Sequence, residues 1–144
     1  MVAKKKSKPK AKARQSVFRG KRKESIARAS IRKGKGVIRI NSVRLDAIDN
    51  RFVRDTISEP LKLAPEIASQ VDISVNVMGG GQMGQAQASR VAIAHALAGF
   101  SEDAALKGRI IAHDRTMFAE DSRRVEPKKY KGPKARARFQ KSYR

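Results

Sequence analysis

Residues 71–77 carry the cleanest hydrophobic alternation in the chain, Val71, Ile73, Val75 and Val77 alternating with Asp72, Ser74 and Asn76. A period of two puts the four branched side chains on one side, so the pattern predicts a central strand with one polar face. Gly79-Gly80-Gly81 ends it, and an alanine-rich helix is predicted over 85–97, with Ala86, Ile93 and Leu97 inward. Its small residues suit close packing on a sheet. Upstream, residues 25–32 alternate Ser25, Ala27, Ala29 and Ile31 with positions that include Arg28, Ser30 and Arg32, Ile26 being off parity. This reads as a half-buried strand with one cationic face. Lys33-Gly34-Lys35-Gly36 supplies turn chemistry, so residues 37–40 are predicted to return beside it as a hairpin. Asn41-Ser42 permits a further tight turn into residues 43–45.

In the next segment Val53, Ile57 and Leu61 recur at helical spacing behind a capping Asn50. Pro60 predicts that this helix ends near Ser58 and that a second turn opens at the proline, since an interior proline removes a backbone bond and clashes with the preceding turn. Pro65-Glu66 marks a loop. Ser101 or Asp103 starts another helix, with Leu106 and Ile110 on its buried side, and regularity weakens after Asp114. Strands early and helices late, with no internal repeat, give one α+β domain over residues 16–122. A body of this size can bury a core of its own.

Charge then changes the picture. Residues 1–35 hold 15 Lys and Arg against one acid, and residues 123–144 hold 10 against one, whereas residues 36–122 hold 9 against 11. A near-neutral body thus carries two strongly basic ends, and the total of +21 calls for an anionic partner. Residues 1–15, which include Lys4-Lys5-Lys6, form a basic arm without periodicity, and residues 123–144 form a basic tail. Both ends have too little apolar surface to offset ordering entropy and are expected to be disordered until bound. Neither offers the continuous apolar face of a membrane-surface helix. No run approaches a membrane span, and no apolar signal segment follows the first lysines. The absence of cysteine removes disulfides, thiolate metal sites and cysteine nucleophiles.

Nucleic acid is the anion these residues fit. Arg19, Lys21, Arg22 and Lys23 cluster before the predicted first strand, and Arg28 and Arg32 continue on its polar face, with only Glu24 intervening. At the other end stand Lys128, Lys129, Lys131, Lys134, Arg136, Arg138, Lys141 and Arg144, interleaved with Tyr130, Phe139 and Tyr143. Cations for phosphate and rings for stacking suit RNA with unpaired bases, and cations at both ends suit wrapping of a folded RNA. The competing chemistries are weak. Gly79, Gly81 and Gly84 spell G-x-G-x-x-G between strand and helix, but no second parallel strand ending in an acid follows, and no Lys-Ser/Thr completes a nucleotide loop. His95 reads as a packed or surface residue of its helix, and His113-Asp114 lacks a second His/Asp set. Glu120-Asp121 reads as local pairing with Arg123 and Arg124. No nucleophile, general base, cofactor or metal site is nominated, and no enzyme is expected.

Four segments together bring a family into view: GKRKESIARA at 20–29, EPLKLA at 59–64, VNVMGGGQMGQAQASRVAIAHAL at 75–97 and DSRRVEPKKYKGPKARARFQKSYR at 121–144. In this order the chain resembles small-subunit ribosomal protein S-nine, in its archaeal or eukaryotic-type form. Lys131 and Lys134 stand where that family is expected to carry glycine. The resemblance implies the α+β fold named for the second domain of ribosomal protein S-five, a sheet with helices packed on one face and a left-handed βαβ crossover. It implies a cytoplasmic, ribosomal location in the head of the small subunit, with rRNA, neighbouring ribosomal proteins and peptidyl-site tRNA as partners. Carried onto this chain, Lys21, Arg22 and Lys23 would lie on rRNA, while Arg144, with Lys141 and Tyr143 nearby, would approach the anticodon stem-loop of that tRNA. A free-standing nucleic-acid chaperone or chromatin-like protein is the alternative, and a dinucleotide enzyme a distant third.

Overall fold

The computed structural model describes residues 16–101 and 103–142. The chain runs β1 (Val17–Arg22), β2 (Ser25–Lys33), β3 (Ile38–Ile40), β4 (Val43–Arg44), a short 3-10 turn (Leu45–Ala47), α1 (Arg51–Leu63), α2 (Pro65–Gln70), β5 (Val71–Met78), α3 (Gln82–Ser101), α4 (Ala104–His113) and a second 3-10 turn (Arg115–Met117). The five strands form one mixed sheet in the order β1-β2-β5-β3-β4, so the architecture is α+β. The expected strand at 71–77 is its central member.

The expected hairpin between β2 and β3 does not form. β5 lies between them, antiparallel to β2 (Ala29 opposite Val75) and parallel to β3 (Ile40 opposite Val75). The connection at 34–37 therefore crosses the end of β5. Asp72 secures that crossing: its Oδ1 accepts from the amides of Lys35 (2.9 Å) and Val37 (3.1 Å). Turn chemistry reports only that the chain bends, not what enters the gap. An eight-residue central strand has two hydrogen-bonding edges to satisfy, and it satisfies both here. A tight hairpin does form one step later, where Asn41 and Ser42 both take positive φ (46° and 73°) between β3 and β4. Asn41 also lengthens the sheet, its side-chain amide donating to the Val77 carbonyl (3.0 Å) and its Oδ1 accepting from the Val77 amide (2.8 Å).

Three further expectations are corrected. Residues 19–22, expected to precede the first strand, are part of β1, where Phe18 and Gly20 face the helices and interrupt the cationic run only on that side. Helix α1 continues through Pro60, which is buried together with Ile57; that shared burial offsets the bond lost at the proline. Asn50 caps α1, its Oδ1 accepting from the amides of Phe52 and Val53. Pro65-Glu66 opens the short helix α2 instead of a loop, proline at the first helical position losing no intrahelical bond.

Helix α3 is longer than residues 85–97 and is buried on nearly all sides, with Ala88, Ala92, Ile93, Ala94, Ala96 and Leu97 fully enclosed. It packs on β1, β2 and β5, and α1 packs on it from the other side. A helix enclosed on most sides is mostly apolar, and its polar members here are held by partners, Gln87 by Arg22 and Arg90 by Glu59 and Asp114. Its alanines let the backbones approach so closely that a Cβ at Gly20 would strike the Ala88 carbonyl and the Ala92 amide. Leu106, Ile110 and Met117 close the far end of the core, so order extends past Asp114. Among the described residues, the sheet's other face bears no helix.

We expect Gly20→Ala to destabilise the fold by about 1–3 kcal/mol, because backbone atoms of α3 cannot yield as a flexible side chain would. Ile93→Ala should cost roughly 2–5 kcal/mol through the cavity it leaves. Urea unfolding of the two variants beside the parent measures both.

Candidate nucleic-acid interface

Strand parity decides where the predicted cations go. Arg28 and Arg32 on β2 project from the helix-free face, as their exposure shows, while Ala27, Ala29 and Ile31 enter the core. Arg19 lies opposite Arg28 and Lys21 opposite Ile26, so both belong to the same face by register. Lys23 sits in the β1–β2 turn at φ 53°. Arg22 falls on the opposite parity. Its Nε donates to Gln87 Oε1 on α3 (2.8 Å) and its Nη1 pairs with Asp121. This arginine, grouped with its neighbours by charge, is tied to the body and to the root of the tail.

Asp121 is the anchor of that root. Arg123 grips both carboxylate oxygens, Nη2 lying 2.8 Å from Oδ2, and donates its own amide to Oδ1 at 2.9 Å. These bonds, with the charge of Arg22 beside them, hold the Asp121 carboxyl well below the usual carboxylate range. Glu120, by contrast, forms no ion pair among the described residues.

Beyond the anchor the described tail, 123–142, folds back on itself instead of running straight. Arg136 meets Glu126 in a two-pronged contact (3.0 and 2.6 Å), and Arg138 Nη1 donates to the Tyr130 carbonyl at 2.8 Å. Gly132 lies so close to the Ala137 carbonyl that no Cβ would fit. Lys131 takes φ 61°, a conformation that favours glycine. Lys128, Lys129, Lys134 and Lys141 are exposed, as are the rings of Tyr130 and Phe139. Cations and stacking rings are thus displayed together on a looped segment. Tyr143 and Arg144, and the arm at 1–15, lie outside the described residues.

The decoys acquire structural work. Gly79 and Gly80 have positive φ and pack on Glu24 and Ser25, and Gly84 meets the Ser25 hydroxyl, which donates to the Gly79 carbonyl at 2.9 Å. The glycines seat the β1–β2 turn. His113 contacts Glu59 (2.9 Å), and Asp114 both caps the last 3-10 turn through the Thr116 amide and pairs with Arg90 (2.6 Å). Arg90, also 2.7 Å from Glu59, joins α1, α3 and the segment after α4. His95 meets the Phe118 ring edge-on at 4.8 Å, and its burial favours the neutral imidazole.

Two arginines that charge counting left inside the neutral body complete the helix-free face. Arg39 on β3 lies opposite Ser74 and beside Arg44 on β4. No run of like charge flags them, because each stands alone in sequence.

Against known proteins, residues 20–144 match the model of the family described as Ribosomal protein S9/S16. The chain belongs to this family. The small ribosomal subunit protein uS9 of Methanothrix thermoacetophila is 48% identical over 125 residues, which cover 87% of this chain and 95% of that protein. The four motifs that carried the resemblance fall inside the matched span.

Because the Asp121 pKa is depressed in the fold, its contact contributes above the ordinary carboxylate range and is lost only as pH falls through the lowered value. The Arg123 amide resonance should therefore stay unchanged from about pH 7 to about pH 4, the ordinary Asp value. Asp121→Ala should speed tryptic cleavage after Arg123, because it removes the carboxylate that the Arg123 amide and guanidinium both grip.

Proposed function

We propose that this chain is a structural RNA-binding constituent of the small ribosomal subunit. In this reading the body lies on rRNA in the subunit head, among neighbouring ribosomal proteins, and the tail reaches the anticodon stem-loop of peptidyl-site tRNA. Membership of a ribosomal protein family supports the structural role, and one observation carries the mode of binding: two strongly basic ends on a near-neutral body. Arg19, Lys21, Lys23, Arg28 and Arg32 engage rRNA phosphates from the body, and Lys128, Lys129, Lys134, Arg136 and Arg138 continue along the tail. Arg22 stands closer to a positioning role, since Asp121 and Gln87 occupy it. Lys141, Tyr143 and Arg144 contact the tRNA. The parallel pairing of β3 with β5 across α1 and α2 supports the crossover of the S-five second-domain fold.

The ordering follows from physical chemistry. Phosphate contacts position a protein on RNA, and folded RNA is recognised largely by shape, backbone and unstacked bases. A compact body supplies fixed cations for the first task. A looped tail with exposed Tyr130 and Phe139 supplies reach and stacking.

Removing residues 141–144 should leave melting and subunit incorporation unchanged and accelerate tRNA loss from the peptidyl site; equal dissociation rates from truncated and intact subunits would count against this. Lys21→Glu with Arg28→Glu should lose to the parent chain in competitive subunit assembly. Arg22 is avoided there because a glutamate beside Asp121 would disturb the fold itself. Stoichiometric co-sedimentation with small subunits in high salt separates this function from a free-standing chaperone, whose non-specific binding falls steeply with salt.

A further inference from the structure

The helix-free face of the sheet has a layout that the basic ends do not share. Two cross-strand arginine pairs flank it, Arg19 opposite Arg28 on β1–β2 and Arg39 opposite Arg44 on β3–β4. Like charges placed directly opposite each other weaken a sheet. Arg28, Arg39 and Arg44 are exposed, and neither Arg28 nor Arg39 has an ion-pair partner among the described residues. Arg44 reaches Asp46 only at 3.7 Å in an exposed contact. Between the pairs runs β5, which presents Asp72, Ser74 and Asn76 to this side. Asp72 is the one acid at these register positions, and it is already engaged by the Lys35 and Val37 amides and by Arg32 at 3.6 Å.

The floor between the flanks is a hollow of about 320 Å³ lined by Ser30, Arg32, Arg39, Asp72 and Ser74 among others. Five strands at about 4.8 Å spacing make the face roughly 19 Å wide. No Phe, Tyr or His occupies a register position on it. Without rings the face offers bases no aromatic platform and leaves the arginine guanidinium planes as its stacking groups. Cations at two margins with hydroxyl and amide groups between them instead match phosphates and 2′-hydroxyls presented by a duplex.

We propose that this face is a docking surface for the backbone of double-stranded RNA, with Arg28 and Arg39 as its central phosphate contacts and Arg44 at its margin. The proposal rests on the rRNA-binding reading above and deepens it: the duplex is held by the sheet, and single-stranded or stacked elements by the tail. It also explains why Arg28 and Arg39 persist without ion-pair partners among the described residues of the folded domain.

The test compares the full chain with a triple variant, Arg28→Gln, Arg39→Gln and Arg44→Gln, on two probes, a short blunt RNA duplex and a single-stranded oligouridylate. Each lost phosphate contact lowers the slope of log affinity against log salt by about 1, so the duplex slope should fall by about 3. Oligouridylate affinity should change by less than about twofold, because the tail's rings and cations are untouched. The triple lysine variant keeps the charge and should restore the duplex slope, and the glutamine variant should melt no lower than the parent because like-charge pairs are removed. An unchanged duplex slope, or an equal loss on both probes, overturns the proposal. Failure of the parent chain to enter small subunits would instead overturn the ribosomal reading, so the two failures are separable. Should the glutamine variant unfold, Arg39→Gln alone takes its place: a slope change of about 1 supports the duplex site, and no change overturns it.

Discussion

The approach of α3 to the sheet is the constraint on which the remaining structure depends. Gly20 leaves no room for a Cβ beneath the Ala88 carbonyl, and a row of alanines lies where larger side chains would lift the helix. Once α3 is seated against β1, β2 and β5, its far side can be covered only by α1, α4 and the turn that ends in Met117. Every helix then stacks on one face. The opposite face is left to solvent or to a partner, and Arg28, Arg32, Arg39, Ser74 and Asn76 stand on it beside the apolar Val17, Ile26 and Met78. Packing on one side thus dictates chemistry on the other.

The same constraint controls where the tail begins. Met117 pins the chain after α4 into the core, and a few residues later Arg22 and Arg123 hold Asp121 against β1 and α3. The tail therefore departs from a rigid point. Within the tail, the Glu126–Arg136 contact and the close passage of Gly132 past Ala137 shape a loop that displays Tyr130 and the lysines outward. The pre-formed loop lowers the ordering cost that an extended polycation would meet on binding.

Two kinds of basic surface result. On the sheet, arginines stand at fixed spacing on rigid strands, suited to a partner with a regular backbone. In the tail, cations alternate with rings on a segment that can adapt, suited to unpaired bases and to irregular folds.

Much of this was legible in the amino-acid order alone. The alternation at 71–77, the alanine-rich helix, the Asn50 cap, the Asn41-Ser42 turn and the charge partition all rest on local periodicity, backbone preference or simple composition, which neighbours in sequence suffice to express. Which strand fills the gap between β2 and β3, whether Pro60 ends its helix, which of Arg19, Lys21, Arg22 and Arg28 share a face, and that Arg39 and Arg44 join them were decided only in three dimensions. Each depends on a partner tens of residues away: β5 for the hairpin gap, the buried flank of α1 for the proline, Asp121 for Arg22, and sheet register for the arginine pairs. Charge can be counted along a chain, but the side of a sheet on which it stands is set by what the other side must bury.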